Sequence, residues 1–414
     1  MKPCLKNIVV LIFYFLIASP FVFAQMPEAK MQMLDSPAAT NSAEPNLFAA
    51  RDGRIYLSWI EKLADSRHAL KFSIYEKNQW TMGQTIAEGA NWFVNWADFP
   101  SLVALDDGTL VAHWLVKSSK DTFAYDVNIA RSSDGGKSWS KPFTPHKDAT
   151  ATEHGFVSLL PLSESRAAAI WLDGRKFKSD GHGHDAHTAS MNEMTLRYAT
   201  IGRDGKLSDE SEIDGRACEC CQTSAAVTSE GLIVAYRDRS NDEVRDISIA
   251  RFVKGKWTQP KSVYADNWKI NGCPVNGPSI TASGKRVAVA WFTGVNEQGR
   301  VKLAFSDDAG ATFKAPVQVD DGRPAGRVEV VLLADGSAFV VWLENTEKQT
   351  EIRAKRIEPG GKTSASIIVS ATSGARASGF PQIAALKDEI IFAWTDPTQP
   401  ARVRTAILKV STAK

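Results

Sequence analysis

A hairpin unit that returns seven times constrains this chain more than any other feature. Each copy is an apolar strand, a short polar turn and a second apolar strand that ends in an aromatic residue. The copies span 45–59, 100–114, 156–171, 224–236, 278–291, 328–342 and 381–394. Their closing aromatics, Trp59, Trp114, Trp171, Tyr236, Trp291, Trp342 and Trp394, follow one another at 55, 57, 65, 55, 51 and 52 residues. A third strand pattern follows each hairpin, at 70–75, 125–131, 196–201, 247–252, 301–305, 352–357 and 403–408. Most of these lead through a Gly, Asp or Asn turn into a fourth strand, as at Lys254-Gly-Lys-Trp257. Four short antiparallel strands per repeat, with alternating polarity and no long amphipathic helical window, make a propeller blade. The chain is therefore expected to be all-β, one seven-bladed propeller over 45–414, with six blades as the alternative. The last copy ends at Lys414, too early for a fourth strand of its own. Met31–Leu34, within the preceding segment 25–44, is expected to supply that strand and close the ring, which removes the open edge an array would leave.

The N-terminal 24 residues have the layout of a secretory signal: Lys2 and Lys6, an apolar run over 8–18 that is short for a membrane span, and Val22-Phe-Ala24 before Gln25. The expectation is a soluble exported protein, periplasmic or secreted, that does not span the membrane once the signal is removed. The net charge of +2 equals the contribution of the two signal lysines. A near-neutral mature chain offers no electrostatic reason to bind nucleic acid. Export also permits disulfides, and four of the five cysteines follow the signal.

Two turns carry more information than the rest. Ser132-Ser-Asp-Gly-Gly-Lys-Ser-Trp139 and Ser306-Asp-Asp-Ala-Gly-Ala-Thr-Phe313 fit the Asp-box pattern Ser-x-Asp-x-Gly-x-Thr-Trp, with Ser138 and Phe313 as departures. Ser132, Asp134, Gly136 and Trp139 form one structural set; Ser306, Asp308, Gly310 and Phe313 form the other. The aspartates are suited to bond turn amides, the glycines to adopt positive φ, and the aromatics to anchor the turn between sheets. Here the chain resembles the sialidase-like, or BNR-repeat, propeller family. That resemblance implies the propeller and raises the reading of an exo-sialidase-like glycoside hydrolase. Active members hold the substrate carboxylate with three arginines, one in an Arg-Ile-Pro motif, and use an Asp acid/base and a Tyr nucleophile assisted by Glu. The nearest match to Arg-Ile-Pro is Arg54-Ile-Tyr56, and the last tyrosine is Tyr264. Tyr236 with Arg237 or Arg239 is the partial set available, so no efficient release of sialic acid is expected.

In a blade, the start of the first strand and the end of the second lie on one face. That rule brings the unusual residues together. Segments leading into first strands carry Trp96 and Asp98, His154, Cys218-Glu-Cys-Cys221, and Cys273; the ends of second strands carry His113 and Tyr236-Arg-Asp-Arg239. The loop after Trp171 adds His182, His184 and His187, three of the seven histidines. Trp96, Asp98, His113, His154, Tyr236, Arg237, Asp238 and Arg239 are the candidate substrate-binding residues. His113 and His154 have a plain alternative as satisfied core residues, and the Arg237–Arg239 charges as a structural ion-pair network.

Cys218, Cys220, Cys221 and Cys273, with His182, His184 and His187, are the candidate metal ligands. Thiolates select soft ions, and nearby imidazole favours copper, with zinc second. Cys-x-Cys-Cys does not have paired zinc-ligand spacing, and disulfide pairing stands beside metal binding. Adjacent Cys220 and Cys221 pair with each other only through a strained bridge. One disulfide from the triplet to Cys273 would leave two thiols. Three functions follow: soft-metal binding or thiol redox chemistry at this face, glycoside hydrolysis, or a non-catalytic propeller that binds a glycan or another exported protein.

Overall fold

The computed structural model describes residues 31–162, 165–177 and 193–410. These residues form seven antiparallel sheets, one per hairpin repeat, arranged as a seven-bladed β-propeller. Blade 1 is built on Ser42–Ala49, Ile55–Lys62 and His68–Glu76, blade 2 on Ser101–Ala104, Leu110–Lys117 and Tyr125–Ser132, and blade 3 on His154–Pro161, Ala167–Asp173, Met194–Ile201 and Leu207–Ala217. Blade 4 uses Ser224–Thr228, Gly231–Arg237 and Ile247–Val253; blade 5 uses Ser279–Ser283, Arg286–Thr293 and Arg300–Ser306. Blade 6 comprises Pro324–Leu332, Ala338–Asn345, Thr350–Ile357 and Ile367–Thr372. Blade 7 takes Gln382–Leu386, Glu389–Asp396 and Arg402–Lys409 from the C-terminal end. Its outermost strand is Met31–Leu34, in register from Met31 opposite Leu408 to Leu34 opposite Thr405. The first strands of neighbouring blades touch all the way round, including blade 7 against blade 1.

The core lies between blades because each sheet has two apolar faces and water covers neither. Ile170 and Tyr198 of blade 3 pack with Val234 and Ala250 of blade 4; Val340 and Trp342 of blade 6 pack with Ala288 and Leu303 of blade 5. Leu57 and Trp59 of blade 1 meet Ala393 and Val403 of blade 7, sealing the last gap.

The closing tryptophans need a partner for the indole N–H as well as an apolar berth. Trp59, Trp171 and Trp342 donate to the carboxylate two residues on, Glu61, Asp173 and Glu344, at 2.8, 2.8 and 2.7 Å. Trp291 has no such residue after it and uses Asp266 at 2.7 Å. In the two Asp-centred turns, Ser132 and Ser306 accept from Gly136 N–H and Gly310 N–H at 2.8 and 2.9 Å, while Asp134 and Asp308 accept from the Ser138 and Thr312 amides, both at 2.9 Å. Gly136 has φ +91 and a Cβ there would stand 2.3 Å from the Phe72 ring, so the turn lies flush against the preceding blade.

Candidate functional site

The segment before blade 2 crosses the face that carries the unusual residues. The Gln222 amide donates to Ala97 O at 2.5 Å and its oxygen accepts from Gly277 N–H at 3.0 Å, which links the segments leading into blades 2, 4 and 5. A Cβ on Gly277 would sit 2.1 Å from Gln222 O, so only glycine permits this approach. Trp96 stacks on Phe380 at 5.9 Å, and the Arg327 guanidinium lies 4.6 Å from the Trp96 ring. Beneath them a channel cavity of about 150 Å³ is lined by first-strand residues, including Asn46, Ser101, Ser158, Glu329 and Gln382.

The four cysteines meet on this face. Cys220 and Cys273 are joined as a disulfide, which ties the start of blade 4 to the start of blade 5. These two, expected among the metal ligands, are therefore not free thiolates here. The free thiols are Cys218 and Cys221, both buried. Their sulfurs lie 2.9 Å apart, and Cys218 Sγ is 3.8 Å from Cys220 Sγ. The Cys218 amide donates to Arg237 O at 2.9 Å, pinning the thiol to the end of a blade 4 strand. Arg245 Nη1 stands 3.3 Å from Cys218 Sγ and 3.0 Å from Glu219 Oε2. Burial pushes the Cys218 thiol up, but the Cys221 S–H and the Arg245 charge outweigh it and hold Cys218 below its ordinary value. Cys221 is raised well above, by burial first and then by its bond to Cys218. His182, His184 and His187 lie outside the described residues.

The charged residues around the thiols are committed to one another. Arg237 is 1% exposed and donates to the carbonyls of Asn276, Arg245 and Phe292, with its guanidinium 4.9 Å from the Trp268 ring. Arg239 makes a fork onto Glu243, from Nε at 3.0 Å and Nη2 at 2.8 Å. Asp238 accepts from Ser248 Oγ and the Arg239 amide. Tyr236 is buried and donates to Asp214. These four are candidate substrate contacts in the sequence; here Tyr236, Arg237 and Arg239 are buried, Asp238 is half-buried, and all four are engaged with protein groups that frame the cysteine loop.

His113 is fully buried, with Nδ1 against Ser101 Oγ at 2.9 Å, and burial lowers its pKa to about 3. It is a core histidine, as the alternative reading has it, but its partner is Ser101 and its buried Nε2 has no hydrogen-bond partner among the described residues. His154 has a partner the sequence did not flag. Its ring stacks on His146 at 3.9 Å and 4° between planes, and Asp148 bridges the two, to His146 Nδ1 at 3.1 Å and His154 Nε2 at 3.2 Å. Asp126 and Asp173 complete the group. Asp148 joins the two rings by hydrogen bonds, while the buried His146 Nε2 has no hydrogen-bond partner among the described residues. The spacing Pro145-His-Lys-Asp148 ahead of Glu153-His154 was its only trace.

Asp98 is buried and accepts from Phe156 N–H at 2.7 Å and Tyr125 OH at 3.0 Å. The same phenol is 2.8 Å from Glu153 Oε1. Burial raises Asp98 to about 7 against those hydrogen bonds, and raises Glu153 to about 8. Glu44, at the start of blade 1, is raised well above its ordinary value by burial and then by Asp98. Tyr125, Glu153 and Glu44 carry no motif in the sequence.

No family model and no curated protein matches the chain. Among solved structures it superposes on a protein of unknown function from Dyadobacter fermentans, at TM-score 0.50 and 15% identity over 93% of this chain and 98% of that one. It superposes on the polysaccharide lyase Uly1 at TM-score 0.52 and 8% identity, over 89% and 90%. The intramolecular trans-sialidase from Ruminococcus gnavus also aligns, at 0.48 and 14%, over 76% and 96%. At such identities what is shared is the β-propeller fold.

Proposed function

We propose that the chain is an exported propeller whose cysteine face binds a soft metal ion through Cys218 and Cys221, copper(I) ahead of zinc. The observation that carries this reading is the contact of two buried free thiols at 2.9 Å beside Arg245. Two thiolates that close repel unless they are oxidised or bridged by a cation. Two thiolates and one copper(I) leave a single negative charge, which the Arg245 guanidinium is positioned to balance. Metal–sulfur bonds of about 2.3 Å require the sulfurs to part by roughly 1–1.7 Å, the larger value for a linear site, a movement within reach of side-chain rotation. In this reading the Cys220–Cys273 disulfide staples the loops that hold the pair. The signal-like N-terminus supports export, to the periplasm or beyond. Glycoside hydrolysis has less support, because the Tyr236 phenol is buried and engaged with Asp214.

The test is anaerobic copper(I) titration against a chromophoric chelator, with thiol counting by mass spectrometry. Wild type should bind one ion, and Cys218→Ser and Cys221→Ser should each weaken binding by at least about 100-fold, as loss of one of two covalent ligands implies. Cys220→Ser should lower stability and keep the ion. If wild type binds neither copper(I) nor zinc after mild reduction, and a second intact disulfide joins Cys218 to Cys221, the cluster is a structural staple.

A further inference from the structure

Glu44 is 7% exposed, yet its carboxyl accepts no hydrogen bond from any described residue. Its backbone N–H donates to Thr395 Oγ1 at 3.2 Å, which leaves the carboxyl itself unengaged among the described residues. A buried carboxyl without a donor is costly. Beside it is a small pocket between blades 1 and 2, on the same face as the cysteines but built from other blades. Its walls include the aromatic rings of Trp92, Phe93 and Trp114, and its carboxyl groups are Glu44 and Asp98. Both Asp98 oxygens already accept one hydrogen bond each, and a carboxylate oxygen accepts two. The space, about 10 Å³, holds one water-sized group. Val94, one of the lining residues, is 37% exposed.

We infer that this pocket binds a primary ammonium group, the end of an alkylamine or of a lysine side chain. The chemistry of the wall selects it. A calcium ion takes six to eight oxygens and a magnesium ion an octahedral set, whereas this lining offers two carboxyls among Ile60, Pro100 and aromatic rings. An ammonium needs less: its N–H groups bond to the two carboxyls, and ring faces attract the remaining charge. A quaternary ammonium is too large for a one-water space. Glu44 and Asp98 face the pocket, with Tyr125 bonded to Asp98 and Glu153 behind it, and among the described residues no Lys or Arg pairs with any of the four. The carboxyls are raised when the pocket is empty, so the ammonium displaces protons and binds more tightly as pH rises.

The test is titration of the full-length mature protein with n-butylamine, read by tryptophan fluorescence, since Trp92 and Trp114 line the pocket, and by thermal shift. n-Butanol is the uncharged control, and Nα-acetyl-lysine methylamide separates a lysine end from a free amine. Saturable binding of butylamine is expected, absent for butanol, tighter at pH 8.5 than at pH 6 by at least about fivefold, and weakened at least about tenfold in Glu44→Gln. Equal responses to the lysine amide assign a lysine end, and a response to butylamine alone assigns a free amine. The wild-type pH series stands without any variant if Glu44→Gln does not fold. No saturable response up to about 50 mM amine, equal responses to amine and alcohol, or an unchanged affinity in folded Glu44→Gln would overturn the assignment.

Discussion

One phenolic proton faces two carboxyl groups at Tyr125, with Asp98 at 3.0 Å and Glu153 at 2.8 Å. A hydroxyl donates once, so one carboxyl must supply the other proton, and Glu153, raised to about 8, is the group that keeps it at neutral pH. The linkage sign follows. A carboxyl whose pKa is higher folded than unfolded binds more protons in the fold, so its stabilisation is complete below the unfolded value near 4.5 and is lost as pH rises through about 8. Asp98, raised to about 7, adds to the same window. Wild type should lose stability between pH 5 and 8.5, with a slope of up to about 1.4 kcal/mol per pH unit per group. Glu153→Gln, whose amide donates to the phenol at every pH, should flatten that loss in urea unfolding measured across the range. Parallel profiles for the two proteins would remove Glu153 from the account. Asp98 was visible in the sequence because it lies in a segment leading into a blade. Glu153 lies in such a segment too, but its pairing with Tyr125 was not visible, because a tyrosine beginning a third strand and a glutamate before a first strand have no shared spacing; they meet only when blades 2 and 3 pack.

At the scale of the element, the repeating device is the second-strand tryptophan with its carboxylate. Glu344 accepts from Trp342 Nε1 at 2.7 Å, from Arg323 N–H at 2.6 Å and from Asp321 N–H at 3.3 Å. It thus fastens the strand Ala338–Asn345 to the turn that precedes blade 6. Glu344→Ala orphans the buried indole N–H and frees the turn, so unfolding in urea should show a loss of about 1–3 kcal/mol. The Trp-x-Asp/Glu spacing at 59–61, 171–173 and 342–344 was in plain view along the chain. Its meaning was not, since the aromatic reads equally well as an apolar stop to the strand. The Asp-centred turns behaved as their residue types dictate, because the bonds that Ser132, Asp134, Ser306 and Asp308 make are to residues a few positions away.

For the whole molecule, the closure of blade 7 is the decisive contact. Met31–Leu34 caps the edge of Arg402–Lys409, so the first and last described strands share one sheet. Removing 31–34 bares that edge and weakens the joint between blades 7 and 1, where Leu34 packs near Ile391 and Ile407. Such a truncation should lower the melting temperature by several degrees and drive part of the protein into dimers or larger species, read by calorimetry and light scattering. A monomer of unchanged stability would show that the joint rests on the other blade 7 contacts alone.

The alternation of apolar residues, the turn glycines and the recurrence of the hairpin are local signals of period two, and they carried the blade, the blade number and the strand that closes the ring. Nothing local assigns partners across blades. Which sulfur meets Cys273, that Cys218 faces Cys221 and Arg245, that His146 stacks on His154, and that Glu44 is left without a donor beside Asp98 are all outcomes of packing seven sheets around one axis. Arg237 makes the same point: adjacent to Tyr236 it had the look of a substrate contact, and the tertiary structure turned it onto three backbone carbonyls. Burial is the physical reason. It is set by neighbours distant in sequence, and it decides whether a charged side chain is available to a ligand or held by the protein itself.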